Sequence, residues 1–78
     1  MSEPITVEAT IGRNGRVWVK RVKLKNGWQV VEQGRQWHDE AGRHILIRIP
    51  GGQVQEILLS TISLRWELRP RRTPPQII

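Results

Sequence analysis

Residues 16–31 read RVWVKRVKLKNGWQVV, and the register of this stretch decides the fold. Asn26-Gly27 is the strongest short hairpin signal, because a type I′ turn needs positive φ at both central positions. On either side of it apolar and basic residues alternate with a period of two, as in a strand with two unlike faces. A two-residue loop sets Lys25 opposite Trp28, Lys23 opposite Val30 and Arg21 opposite Glu32, all on one face. Trp18, Lys20, Val22 and Leu24 share the other face with Gln29, Val31 and Gln33, and this richer apolar set is assigned to the core. Val17 and Val19 have the parity of Arg21 and Lys23. Either the strand is buried on both sides at its start, or a bulge near Lys20 shifts the phase of the early residues alone.

Outward from this hairpin the same period continues. Ile5, Val7, Ala9 and Ile11 alternate with Thr6, Glu8 and Thr10, and the run ends at Gly12-Arg13-Asn14-Gly15, whose glycines and asparagine suit a tight turn. QGRQWHDEAGR (33–43) reads as a loop, or as a short strand followed by a turn. Arg43 to Ile49 places Ile45, Ile47 and Ile49 inward, with His44, Leu46 and Arg48 on the opposite side. Pro50-Gly51-Gly52-Gln53 closes a second hairpin into Val54 to Leu59, and Ser60-Thr61 breaks that run. A last strand, Ile62 to Arg69, is expected to turn Ile62, Leu64, Trp66 and Leu68 inward. The expected fold is all-β, a small five- or six-stranded antiparallel barrel or bent roll, SH3-like or OB-like, since closure hides sheet edges. Residues 1–69 form this single domain, and residues 70–78, PRRTPPQII, form a Pro/Arg-rich flexible tail whose bland reading is a linker.

A chain of 78 residues supports one modest core and no large catalytic cleft. Without cysteine, disulfides, thiolate metal sites and cysteine nucleophiles are excluded. MSEPITVEAT lacks the pattern of a secretory signal, and no apolar run reaches membrane-span length, so a cytoplasmic protein without a membrane partner is expected. The net charge of +6 favours polyanionic partners, because neutralised phosphates release condensed counterions. That charge is concentrated: between Gly12 and Arg35 the only acid is Glu32.

A nucleic-acid-binding surface is the leading reading of this concentration. Arg16, Arg21, Lys23, Lys25 and Arg35 are the candidate phosphate contacts, and Trp28 offers an indole face on which an exposed base can stack. Single strands are favoured, because no helix is available to enter a duplex groove. The plain alternative is a solvated sheet face in which Trp28 packs on lysine stems. Trp18 and Trp66 are expected in the core, and Trp37 as a cap on one end of the barrel. His38-Asp39-Glu40 reads as a turn rather than a metal site, and no nucleophile, base and carboxylate fall at catalytic spacing. The expectation is a nonenzymatic protein with no cofactor. A rival function is an SH3-like protein-interaction module, with an extended peptide in a groove at Trp28 or Trp37, or a self-associating domain, monomer or weak homodimer.

The order of features GRNGRVWVKRVKLKNGWQV (12–30), RHILIRIPGGQVQEILL (43–59) and WELRP (66–70) resembles a small bacterial β domain also seen appended to DNA polymerase-like proteins of the Y family. The resemblance covers about Gly12 to Pro70, with tryptophans at Trp28, Trp37 and Trp66, although tyrosine and phenylalanine are absent here. It implies an accessory role, with a possible protein partner in DNA repair or replication, and brings no catalytic residues.

Overall fold

Turn glycines and period-two segments become strands β1 (Glu3–Pro4), β2 (Thr6–Ile11), β3 (Val17–Leu24), β4 (Gly27–Val30), β5 (Glu32–Asp39), β6 (Gly42–Arg48), β7 (Val54–Ser60) and β8 (Trp66–Leu68). These come from a computed structural model describing residues 3–69; the expected 70–78 tail lies outside the described residues. The chain is all-β, with no helix among those residues. All pairings are antiparallel and form two sheets, β2-β3-β4 and β1-β8-β7-β6-β5, rather than one closed ladder. Single residues carry the chain from one sheet to the other: Ile5 between β1 and β2, and Val31 between β4 and β5. Strands that bend between sheets are the corners of packed β structures. Here the Ile5 N–H donates to the Trp66 carbonyl at 3.1 Å, and the Val31 N–H to the Lys20 carbonyl at 3.4 Å.

The core lies between the sheets. Val17, Val19 and Val22 of β3, with Val31 at the corner, pack against Ile45, Ile47 and Ile57 of β6 and β7, and Trp66 and Leu68 close one flank. The inward alternation of Ile45, Ile47 and Ile49 holds, as does that of Ile5, Val7 and Ala9, whereas Ile11 at the end of the same run is exposed.

The phase of β3 is set by a bulge. Glu8 pairs with Arg21 and Ala9 with Val19, so Lys20 is the extra residue, at the point where the sequence allows a phase shift. Two residues facing one rotate the strand locally. Val17 and Val19 therefore turn inward and Trp18 turns out, 51% exposed, which corrects its expected place in the core.

The hairpin register also differs. Leu24 pairs with Gly27, Lys23 with Trp28 and Arg21 with Val30, so the loop is Lys25-Asn26 and the face assignment survives with shifted partners. Only Gly27 has positive φ, at 105°, so the turn is not type I′; the glycine follows the turn, as in bulged hairpin loops. Arg21 consequently meets Glu8 rather than Glu32, whose carboxylate accepts from Arg48 Nε at 2.9 Å.

Residues 32–39 are a strand followed by a turn, the second of the two readings of 33–43, and the strand is longer than expected. β5 carries its own irregularity: Gln33 pairs with Ile47 and Gln36 with Ile45, leaving Gly34 and Arg35 against Leu46. Beyond Arg21, β4 no longer covers β3, and two glutamines of β5 take its place. Gln33 Oε1 accepts from the Val19 N–H at 2.6 Å, and Gln36 Oε1 from the Val17 N–H at 3.1 Å. Both amide groups donate to the Val17 carbonyl, at 2.8 and 2.9 Å. Backbone groups that would be unpaired in the interior are thus satisfied by side chains from the other sheet.

The last strand is shorter than expected. Ser60 Oγ accepts from the N–H groups of Ile62 and Ser63, winding residues 61–65 into turns. Ile62 and Leu64 therefore lie largely in solvent rather than inward, and Leu64 has φ of 59°.

Candidate nucleic-acid interface

The outward face of β2-β3-β4 gathers most of the basic residues singled out from the sequence. Cross-strand pairing places Thr6, Glu8 and Thr10 of β2, Lys23, Arg21 and Trp18 of β3, and Trp28 and Val30 of β4 on this face. Lys25 sits in the adjoining turn, Lys20 at the bulge, and Arg16 just ahead of β3. Between residues 6 and 30 there are six basic side chains and a single acid, Glu8.

Trp28 is 40% exposed and lies directly opposite Lys23. The guanidinium of Arg21 is over its ring, 4.6 Å from the centroid, and Arg21 Nε donates to Glu8 Oε1 at 2.7 Å. Arg21 is therefore engaged on two sides, by the Glu8 carboxylate and by the face of the indole. Cation–π pairing of this kind is worth about 0.5–1 kcal/mol at exposed sites. Trp18 repeats the arrangement, with Arg16 5.2 Å above its ring.

Arg35 is not brought to this face. It belongs to β5 in the other sheet, 5.7 Å from the Trp37 ring centroid. Trp37 stacks on His44 with centroids 5.1 Å apart and ring planes 2° apart, so it covers the outward side of that sheet rather than the end of a barrel.

His44 is the residue that sequence reasoning passes over. It is 5% exposed, and both ring nitrogens face carboxylates: Nδ1 lies 2.6 Å from Glu56 Oε2, and Nε2 lies 2.8 Å from Asp39 Oδ1. Burial by itself opposes its charge, but the hydrogen bonds to Glu56 and Asp39, with their negative charge, prevail and raise its pKa. The hydrogen bond from His44 lowers that of Asp39 in turn, against the desolvation that would raise it. Asp39 Oδ1 also accepts from the Ala41 N–H at 2.9 Å, tying the cluster to the β5–β6 turn. The five-residue spacing of Asp39 and His44 across a glycine turn is visible in the sequence, but Glu56 joins only through the β6–β7 register, in which it faces Leu46 beside His44.

Among the described residues no group of three or more His, Cys, Asp or Glu side chains is arranged to hold a metal ion. Nor is there, among them, a helix long and apolar enough to cross a membrane. Comparison with protein-family models, curated proteins and solved structures yields no match.

Proposed function

We propose that this protein is a nonenzymatic nucleic-acid-binding module that takes single strands on the outward face of its three-stranded sheet. The observation that carries this reading is Trp28: a half-exposed indole, held by Arg21 and set opposite Lys23, in a segment where basic residues outnumber acids six to one. Lysine and arginine side chains follow a phosphate backbone, and an indole accepts any base by stacking. Arg16, Lys23 and Lys25 meet phosphates, Arg21 positions Trp28, and Arg35 takes part only where a strand reaches the second sheet. The carrying architecture in this reading is a bent roll of the SH3-like or OB-like kind; the two sheet-switching corners at Ile5 and Val31 support it. An accessory place beside DNA repair or replication, in the cytoplasm, accords with the resemblance of residues 12–70 to domains appended to Y-family polymerase-like proteins.

Titration with oligonucleotides tests the reading. Trp28→Ala is expected to lose about 1–3 kcal/mol of single-strand affinity, and less for duplex. Affinity should fall steeply with salt, each neutralised phosphate adding about −0.7 to the slope of log K against log salt for single strands. Salt-independent binding rules the phosphate contacts out.

One observation favours a second reading, a protein-interaction module. A largely apolar hollow of about 350 Å³ is lined by Ile11, Val17, Leu59 and Leu64, together with His38 and Arg43. A partner that copurifies after nuclease treatment and survives high salt selects this reading over the first.

A further inference from the structure

Resting on the nucleic-acid reading above, we infer that Trp18 is a second base-stacking platform, and that the ligand is a single strand long enough to bridge Trp28 and Trp18. The bulge at Lys20 makes this arrangement. Without the extra residue, Trp18 would take the inward parity of Val22; with it, Trp18 joins the face of Arg21 and Trp28 and is the more exposed of that face's two indoles. The valines on either side of it, Val17 and Val19, fill the core, so burial does not hold the indole in place.

The two platforms are built alike and oriented by the same sheet. Each indole has one guanidinium against it, Arg16 for Trp18 and Arg21 for Trp28. Lys23 and Lys20 lie between them along β3, with Glu8 engaged by Arg21. Lys23, opposite Trp28, is five residues from Trp18, one of which is absorbed by the bulge, so the platforms are about 13 Å apart along the strand. At the stacked rise of about 3.4 Å per nucleotide this is a span of about four nucleotides, and fewer when the strand is extended. The intervening phosphates pass Lys23 and Lys20, and Arg16 marks the far end of the track.

The distinguishing property is a length threshold. Fluorescence anisotropy of labelled oligo(dT) of two, four, six and twelve nucleotides, at low salt, compares the wild type with Trp18→Ala, Trp28→Ala and Trp18→Phe. Wild-type affinity should climb up to about four to six nucleotides and then level off. Trp18→Ala should bind six nucleotides roughly ten-fold more weakly, and Trp18→Phe, which keeps a ring, should stay near wild type. Trp28→Ala should weaken every length. A measurement on the unaltered protein covers the case of a variant that does not fold: the Trp28 and Trp18 indole N–H resonances should both move with six nucleotides, and a Trp18 resonance that stays in place overturns the second platform. If Trp28→Ala weakens binding but Trp18→Ala does not, or if two nucleotides bind as tightly as six, the second platform is overturned and the single-strand reading stands. If the wild type binds none of these strands, the reading itself fails and the inference goes with it.

Discussion

The outward faces of the two sheets treat tryptophan and charge in opposite ways. On the five-stranded sheet, Trp37 lies flat on a buried His44 whose ring nitrogens both have carboxylate partners. Residues 32–69, which supply most of that sheet, have five basic and five acidic side chains. On the three-stranded sheet, Trp18 and Trp28 stand half in solvent under arginines, in a segment with six basic residues and one acid. The first face pairs His44 and Arg48 with carboxylates; the second leaves cations and indole surface exposed. Exposure of an aromatic residue is thus informative only with its partners: an indole is a cover where it meets a buried imidazole that has its own carboxylate partners, and an available surface where the nearby charge is unbalanced.

Breaking the comparison altogether requires the shared core. Ile45 is fully enclosed between the sheets, and Ile45→Ala is expected to destabilise by about 2–5 kcal/mol, enough to unfold much of the population of so small a domain. Chemical denaturation reads this directly, and an unchanged midpoint would mean that the two sheets do not share one core.

The closed face is sharpened through His44. Its pKa is raised in the folded protein, so its contribution to stability is complete below the unfolded value of 6.5 and disappears as pH rises through the higher folded value. The lowered pKa of Asp39 works at the other end: its contribution is present above 3.8 and is lost as pH falls through the depressed folded value. The melting temperature should therefore be higher near about pH 5.5 than near about pH 8.5. His44→Ala should flatten that difference and lower stability by about 1–3 kcal/mol, since it leaves Glu56 without its partner. Among the described residues Glu56 then retains Arg69, whose Nε is 3.9 Å away. Oligonucleotide affinity of the folded variant should not change, and a loss would show that the closed face binds as well.

The smallest effect belongs to the open face. Glu8→Gln removes the one acid from the β2-β3-β4 strands and frees Arg21 from its ion pair, so single-strand affinity should rise a few-fold, with a stability change within about 1 kcal/mol. Weaker binding by Glu8→Gln would mean that Glu8 is needed to hold Arg21 over Trp28.

Much of this contrast is legible in the sequence. The alternation of Arg43 to Ile49 and the basic parity of Arg21 and Lys23 with Trp28 are local properties of a period-two chain, and the folded protein keeps both faces. The hairpin partners differ from those of an Asn26-Gly27 loop because the loop closes at Lys25-Asn26, with Gly27 after the turn. Trp18 departs from its expected core position because one bulged residue inverts everything ahead of it; the alternation of Val17 and Val19 signals that a bulge is available without saying that it forms. The His44 cluster escapes a reading of the sequence because its second carboxylate comes from another hairpin.

The sequence by itself determined an all-β chain, its turns at Gly15, Gly27 and Gly51, and the excess of positive charge around its first hairpin, because each depends on local dihedral preference or on composition. Only the tertiary structure decided which tryptophans face solvent, which carboxylates reach His44, and that Gln33 and Gln36 finish the edge of β3. Those outcomes depend on register between segments distant in the chain, where one residue of slip exchanges inside for outside.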